Sequence, residues 1–147
     1  MLDIEIFVKK IRKKSRLMGI DPGKKRVGIA ISDENKIVAT PLTTIIHDNY
    51  SNLVAQIKII FEENNVEGIV IGFPINMDGT EGPSSHSAKE LAKKLSKDIT
   101  ENITLWDERL SSQGAFNLSK ELATNTSKKV KNITIGKIRI ISNFKLK

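Results

Sequence analysis

The chain has 147 residues, of which 39% are hydrophobic and 28% are charged, so it is long enough to form one domain with a buried core. It contains no cysteine, which excludes disulfides and thiolate metal sites and suits a reducing cytoplasm, where we expect the protein to reside. The N-terminus is the reverse of a signal peptide, and no apolar run is long enough to span a bilayer. We therefore expect no membrane partner.

The net charge of +7 is unevenly distributed along the chain. Residues 1–16 contain six basic residues and two acids, and residues 120–147 contain eight basic residues and one acid. The segment between them is acidic, with ten basic residues and fourteen acids. Basic termini around an acidic centre suit a protein that binds a phosphate backbone and keeps carboxylates at its working site. Basic tails that only keep the chain soluble are the alternative.

Apolar periodicity predicts alternating helices and strands. In chain order these are a helix over 2–12, strands over 16–21, 26–32 and 36–45, a helix capped by Ser51, a buried strand over 66–74, a helix from Ser84 or Ser85, a strand over 102–110 and a helix over 111–123. This order predicts the α/β class: a mixed five-stranded sheet with helices on both faces, the layout of a ribonuclease H-like domain. We treat residues 1–15 as a basic helical extension and residues 16–147 as a single domain.

Acids at predicted strand ends are the first candidates for chemistry. Asp21 ends the first strand just before a Pro-Gly turn, where it is either a turn residue or a ligand for a cation. Asp107 and Glu108 end the last strand and point to opposite faces, so at most one can share a site with Asp21. An ion pair with Arg109 is the alternative. Acids that converge in this way predict a site for Mg²⁺ or Mn²⁺, ions with which a nuclease activates water.

Other polar residues have weaker signals. Asp78 lies in a glycine-rich loop and is typical of a turn. His86 follows that loop in the first turn of a helix, where a phosphate can bind, whereas His47 is expected at the surface. The turn after Asp21 is basic, either to contact phosphate or simply as a solvated turn, and contains Lys24, Lys25 and Arg26.

Three segments closely resemble the YqgF/RuvX family of bacterial ribonuclease H-like proteins. They read GIDPGKKRVGIAISD (19–33), IVIGFPINMDGTEGP (69–83) and LWDERLSS (105–112), in the family's order and spacing. Members are described as Holliday junction resolvases and as nucleases that process pre-16S ribosomal RNA. The resemblance extends over residues 16–131.

The resemblance implies a phosphodiesterase that uses Mg²⁺ or Mn²⁺. It implies that Asp21, Glu108 and Asp107 are the catalytic and metal-binding acids, with Glu108 preferred over Asp107. It also implies a glycine-rich loop that faces the substrate. The residues that we expect to bind substrate are Lys24, Lys25, Arg26, Asn76, Asp78, Thr80, His86, Arg109, Lys128, Lys129 and Lys131.

The C-terminal tail departs from the family. Members usually continue after the basic loop with an acid and two alanines on a last helix, whereas this chain reads NITIGKIRIISNFKLK, with no acid after Glu121. The expected acid falls on Thr134 or Gly136, and the isoleucines around them favour a strand over a helix. Either the third ligand is supplied otherwise or the enzyme is impaired.

Three functions therefore compete. The first is a nuclease that acts on structured nucleic acid, with the precursor of ribosomal RNA preferred and a ribosome precursor as partner. The second is a catalytically impaired nucleic-acid-binding module of the same fold. The third is a Holliday junction resolvase that cuts branched DNA, which needs a symmetric homodimer, whereas an RNA-trimming enzyme can act as a monomer. The hairpin also resembles that of actin-like ATPases, but these need two such domains and this chain has room for one.

Overall fold

A computed structural model of the protein describes residues 2–12, 14–35, 39–73 and 78–107. The helices and strands of this part of the chain, in order, are α1 (Ile4–Lys10), β1 (Arg16–Asp21), β2 (Arg26–Ser32), β3 (Ala39–Ile46), α2 (Tyr50–Glu63), β4 (Val66–Phe73), α3 (Pro83–Asp98) and β5 (Ile103–Asp107). The predicted helix over 111–123 and the atypical tail lie outside the described residues. None of the described helices has both the length and the apolar character needed to cross a membrane.

The five strands form one mixed sheet in the order β3-β2-β1-β4-β5. The strand β2 is antiparallel to both β1 and β3, whereas β4 is parallel to both β1 and β5. This confirms the predicted sheet. Because β1, β4 and β5 run in the same direction, all three end at one edge, which we call the carboxyl edge, and begin at the opposite, amino edge.

One face of the sheet packs against α2 and α3. Alternate strand residues such as Met18, Ile20, Ile69 and Ile71 are buried there. The two helices contribute an apolar stripe at helical spacing, consisting of Leu53, Val54, Ile57, Ala88, Leu91, Ala92 and Leu95. These side chains form the main core.

The other face is covered in part by α1. Phe7 and Ile11 are fully buried, and Gly68 of β4 lies directly beneath them. A Cβ atom at position 68 would lie 2.7 Å from Ile11 Cδ1 and 2.9 Å from Phe7 Cε2, so any larger residue there would displace these two side chains. Burial of each of these two side chains stabilises the docked helix by about 1.5–3 kcal/mol. The prediction of helices on both faces is thus confirmed.

Two helix starts differ from the prediction. The cap of α2 is Asn49 rather than Ser51, because Asn49 has an extended backbone and its side chain accepts a hydrogen bond from Asn52 N at 2.8 Å. The helix α3 begins at Pro83, with Gly82 as its N-cap, one residue before the earlier of the two predicted starts. Proline is favoured at this first helical position because the N–H that it lacks would have no intrahelical partner there.

Candidate active site

The carboxyl edge brings together two of the predicted acids. Asp21 is the last residue of β1 and Asp107 is the last residue of β5, with β4 between them. Asp107 pairs with Phe73 of β4, and Ile20 pairs with Ile71, so the two acids lie at nearly the same height in the sheet. Since neighbouring strands are about 4.8 Å apart, their Cα atoms are separated by roughly 10 Å. Their role as metal ligands stays a prediction.

A glycine lies between these two strand ends. Ile71 of β4 pairs with Ile20, and the next residue, Gly72, pairs with Trp106 of β5. Asp21, which follows Ile20, is therefore level with Gly72. Because glycine has no side chain, β4 places nothing beyond its backbone beside the partly buried Asp21 at this height.

The turn after Asp21 is tightly built and basic. A Cβ atom at Gly23 would overlap the carbonyl group of Arg26, so only glycine fits there. The residue that follows β3 also holds the turn, because His47 N donates to Lys25 O at 3.0 Å. Lys24, Lys25 and Arg26 are exposed, which leaves them accessible to a phosphate backbone.

The loop before α3 contains a local turn. Asp78 Oδ1 accepts hydrogen bonds from Thr80 N at 2.9 Å and from Thr80 Oγ1 at 2.6 Å. Gly79 between them has a φ of 91°, which glycine adopts readily. Asp78 thus fits its alternative reading as a turn residue, whereas Asn76 lies outside the described residues.

The first turns of α3 present two further polar residues. His86 is exposed, and its backbone N–H donates to Gly82 O at 3.3 Å. Lys89 lies 2.5 Å from Glu81 Oε1 and 5.3 Å from the ring centre of Phe73, the last residue of β4. Nothing in the sequence alone singles out Lys89 for this edge. Its contact with the strand end depends on a packing of α3 against β4 that periodicity does not reveal.

His47 differs from its expected surface position. Only 9% of it is exposed, and its ring lies 6.0 Å from the ring of Tyr50 in α2. The alternation of β3 explains this, because Ile45 is buried and Ile46 is 69% exposed, so the next residue returns to the buried face. Neither ring nitrogen has a hydrogen-bond partner among the described residues.

The carboxylate of Asp21 at the carboxyl edge is a donor that suits a hard cation, because Mg²⁺ and Mn²⁺ prefer oxygen ligands. Within the described ranges no group of three or more potential ligand side chains is assembled. Glu108, which the resemblance assigns as a ligand, lies outside those ranges, as do the predicted substrate-binding residues Arg109, Lys128, Lys129 and Lys131.

The mixed sheet, its strand order and its helices on both faces define an α/β domain of the ribonuclease H-like class. A model of the RuvX family, described as Holliday junction resolvase, matches residues 15–135. The chain belongs to this family, as its three motifs predicted.

Several relatives and a solved structure are similar to the chain. A protein of Pelagibacter ubique (strain HTCC1062) named "Putative pre-16S rRNA nuclease" is 47% identical over 133 residues, which cover 90% of this chain and 88% of the relative. A protein of Cereibacter sphaeroides (strain KD131 / KCTC 12085) with the same name is 36% identical over 130 residues, covering 88% and 81%. The structure of T. thermophilus RuvC in complex with a Holliday junction substrate aligns with a TM-score of 0.49 and 12% identity, covering 89% of this chain and 96% of that one.

Proposed function

We propose that this protein is a metal-dependent nuclease that hydrolyses phosphodiester bonds in structured RNA, and that its substrate is the 5′ region of the 16S ribosomal RNA precursor. The observation that carries the proposal is the position of Asp21 and Asp107 at one edge of the sheet in a chain of the RuvX family. The names of the relatives at 47% and 36% identity support RNA as the substrate class.

Mg²⁺ or Mn²⁺ is the cofactor of this proposal. Asp21 and Glu108 would hold it, with Asp107 beside them, because hard divalent cations prefer carboxylate oxygens. When bound, such an ion stabilises the negative charge that develops on the transferred phosphoryl group. Asp21 is partly buried, and a charge interacts more strongly with a cation where the surroundings are less polar than bulk water.

The basic groups around the edge would hold the substrate. The exposed Lys24, Lys25 and Arg26 follow Asp21 directly, so their charges offset the repulsion between that carboxylate and an approaching phosphate. His86 stands at the start of α3 on the other side of the edge, beside the loop that precedes the helix. We expect these groups to position the backbone without reading its sequence, as phosphate contacts do.

A DNA-cutting resolvase is the second candidate, and the description of the RuvX family favours it. One experiment distinguishes the RNA nuclease from the DNA resolvase. The protein is incubated with a 5′-extended 16S precursor RNA and, in parallel, with a four-way DNA junction. Each incubation is carried out with Mn²⁺, with Mg²⁺ and with a chelator. We expect cleavage of the RNA only, and only with a metal ion. Symmetric cleavage of the junction would instead support the resolvase. Binding of either substrate without any cleavage would support the impaired module, which the absence of acids after Glu121 favours.

A further inference from the structure

The N-terminal extension is fixed on the sheet at both of its ends. At its start, Leu2 N donates to Ile103 O of β5 at 2.8 Å. In its middle, Phe7 and Ile11 are fully buried against Gly68. The family match begins at residue 15, so this docked helix lies outside the matched segment.

Arg12 fastens the far end of the extension to β4. Its backbone N–H and its Nε donate to the two carboxylate oxygens of Glu67 at 3.0 and 2.9 Å. Ser15 Oγ donates to Arg12 O at 2.9 Å and holds the bend that leads into β1. The Arg12 side chain remains 81% exposed, whereas that of Glu67 is only 15% exposed. The pair therefore places a cationic side chain at the surface of the amino edge.

The residues around this anchor form a cationic surface. We call it the amino-edge basic surface, and it consists of Lys9, Lys10, Arg12, Lys14 and Arg16. Residues 9–16 contain six basic residues and no acid. Lys9, Lys10 and Lys14 are exposed, and among the described residues none of these three has an ion-pair partner.

Two acids limit where an anion can bind on this surface. A cleft of about 210 Å³ opens between Arg16 and the end of α2, and Glu34 and Glu63 line it together with Lys14. The cleft interior is therefore of mixed charge. Lys9 and Lys10 lie on α1 and do not line this cleft, so they, together with the exposed Lys14 at its rim, are the groups from which a polyanion can displace counterions.

We propose that the amino-edge basic surface binds the phosphate backbone of the same RNA whose cleavage site lies at Asp21, and so favours substrates long enough to reach both edges. The inference rests on the proposed function. The six residues of β1 separate Arg16 from Asp21 by roughly 16 Å, at about 3.3 Å per residue. A B-form DNA duplex advances about 3.4 Å per base pair, and the A-form duplex of RNA rises less, so an RNA duplex of at least about five base pairs is needed to bridge this distance.

The test compares a charge-neutralised variant, K9Q/K10Q/K14Q, with a matched control, K58Q/K93Q/K97Q, whose lysines are exposed on α2 and α3. Each is titrated over a range of salt with two RNA hairpins, one with a stem of about four base pairs and one of about 16 base pairs. We expect the first variant to bind the long stem more weakly, with a log–log salt slope lower by about 2–3, since each lost contact removes about 0.7–0.9. Its affinity for the short stem should be unchanged, and the control should behave like the parent protein for both.

The results that overturn this inference differ from those that overturn the proposed nuclease function. The amino-edge basic surface does not bind RNA as proposed if the variant has an unchanged salt slope, or if it loses affinity equally for both stems. The same conclusion holds if the control variant loses as much affinity. Each of these results overturns the inference even if the parent protein cleaves RNA. Conversely, if the parent protein cleaves nothing but shows the expected length dependence, the surface stands and the nuclease proposal fails. The variant K9R/K10R/K14R keeps the charges and should restore binding. Loss of binding to phosphatidylserine vesicles with intact RNA binding would identify a membrane as the partner and overturn the inference.

Discussion

Arg12 and Glu67 lie 55 residues apart in sequence but form a two-point contact that joins the N-terminal extension to β4, at 3.0 and 2.9 Å. Partial burial tends to raise the pKa of the Glu67 carboxyl group. Hydrogen bonds from Arg12 and Ser15, together with the charge of Arg12, outweigh this effect and lower that pKa below its ordinary value of 4.5. The docking of the extension is therefore coupled to the ionisation of one acid.

We expect low pH to weaken the docking of the N-terminal extension on the sheet by protonating Glu67. Because the pKa of Glu67 is lower in the folded than in the unfolded state, its stabilising contribution is present above pH 4.5 and is lost as the pH falls through the folded value. We expect hydrogen exchange at Phe7 N and Ile11 N, which are bonded within the extension, to accelerate over this range more than exchange in β4. E67Q should lack this difference between acid and neutral pH. An identical acid response in E67Q and the parent protein would exclude Glu67 as its source.

The contact between Gly68 and α1 should show energetic coupling. A methyl group at position 68 would press on Phe7 and Ile11, so we expect G68A to lower the free energy of unfolding by about 1–3 kcal/mol. F7A should cost about 3–5 kcal/mol because it leaves a cavity. In the double variant the new methyl group can occupy part of that cavity, so the combined loss measured by denaturant unfolding should be smaller than the sum. Strict additivity would mean that the helix does not lie on Gly68 in solution.

Two substitutions test whether Asn49 or Ser51 caps the N-terminus of α2. N49A should lower the free energy of unfolding by about 1 kcal/mol, since it removes the acceptor for Asn52 N. S51A is the matched control, because Ser51 lies within the exposed first turn of the helix, and it should have little effect. A larger loss for S51A in the same denaturant titration would restore the cap that the sequence predicted.

The two adjacent acids after Trp106 should differ in their effect on cleavage. The resemblance of the segment LWDERLSS to the family prefers Glu108 over Asp107 as the ligand. We therefore expect E108Q to slow RNA cleavage more than D107N does. A comparison of single-turnover rates at saturating Mn²⁺ tests this, and a larger loss for D107N would reverse the assignment.

The sequence predicts correctly those strands whose bounds depend on nearby residues alone. The bounds of β1 and β2 agree with the structure because alternating apolar residues and a Pro-Gly turn specify both strands. The direction of β1, β4 and β5 followed from the helices between them, and with it the shared edge of Asp21 and Asp107. The same alternation, carried one residue past Ile46, would have placed His47 in the interior.

Local sequence patterns do not predict contacts between segments that are distant in the chain. Nothing in the first twelve residues indicates that Phe7 would find Gly68, because the contact depends on how the sheet exposes a glycine on its second face. The approach of Lys89 to Phe73 depends in the same way on the position of α3 over β4. Such contacts follow from tertiary packing rather than from propensity.

We propose that Asp21 serves a metal-dependent cleavage reaction at the carboxyl edge. Its most direct test is the single-turnover rate of 5′-extended 16S precursor RNA cleavage in Mn²⁺ for the parent protein, D21N and D98N, the last being an exposed acid at the far end of α3. We predict that D21N cleaves at least about 100-fold more slowly, because even the outer partners of metal ligands are worth about 10–100-fold. D21N should still bind the RNA, since a charge that repels phosphate is gone, and D98N should cleave like the parent protein. Cleavage by D21N at the parent rate would contradict this role of Asp21.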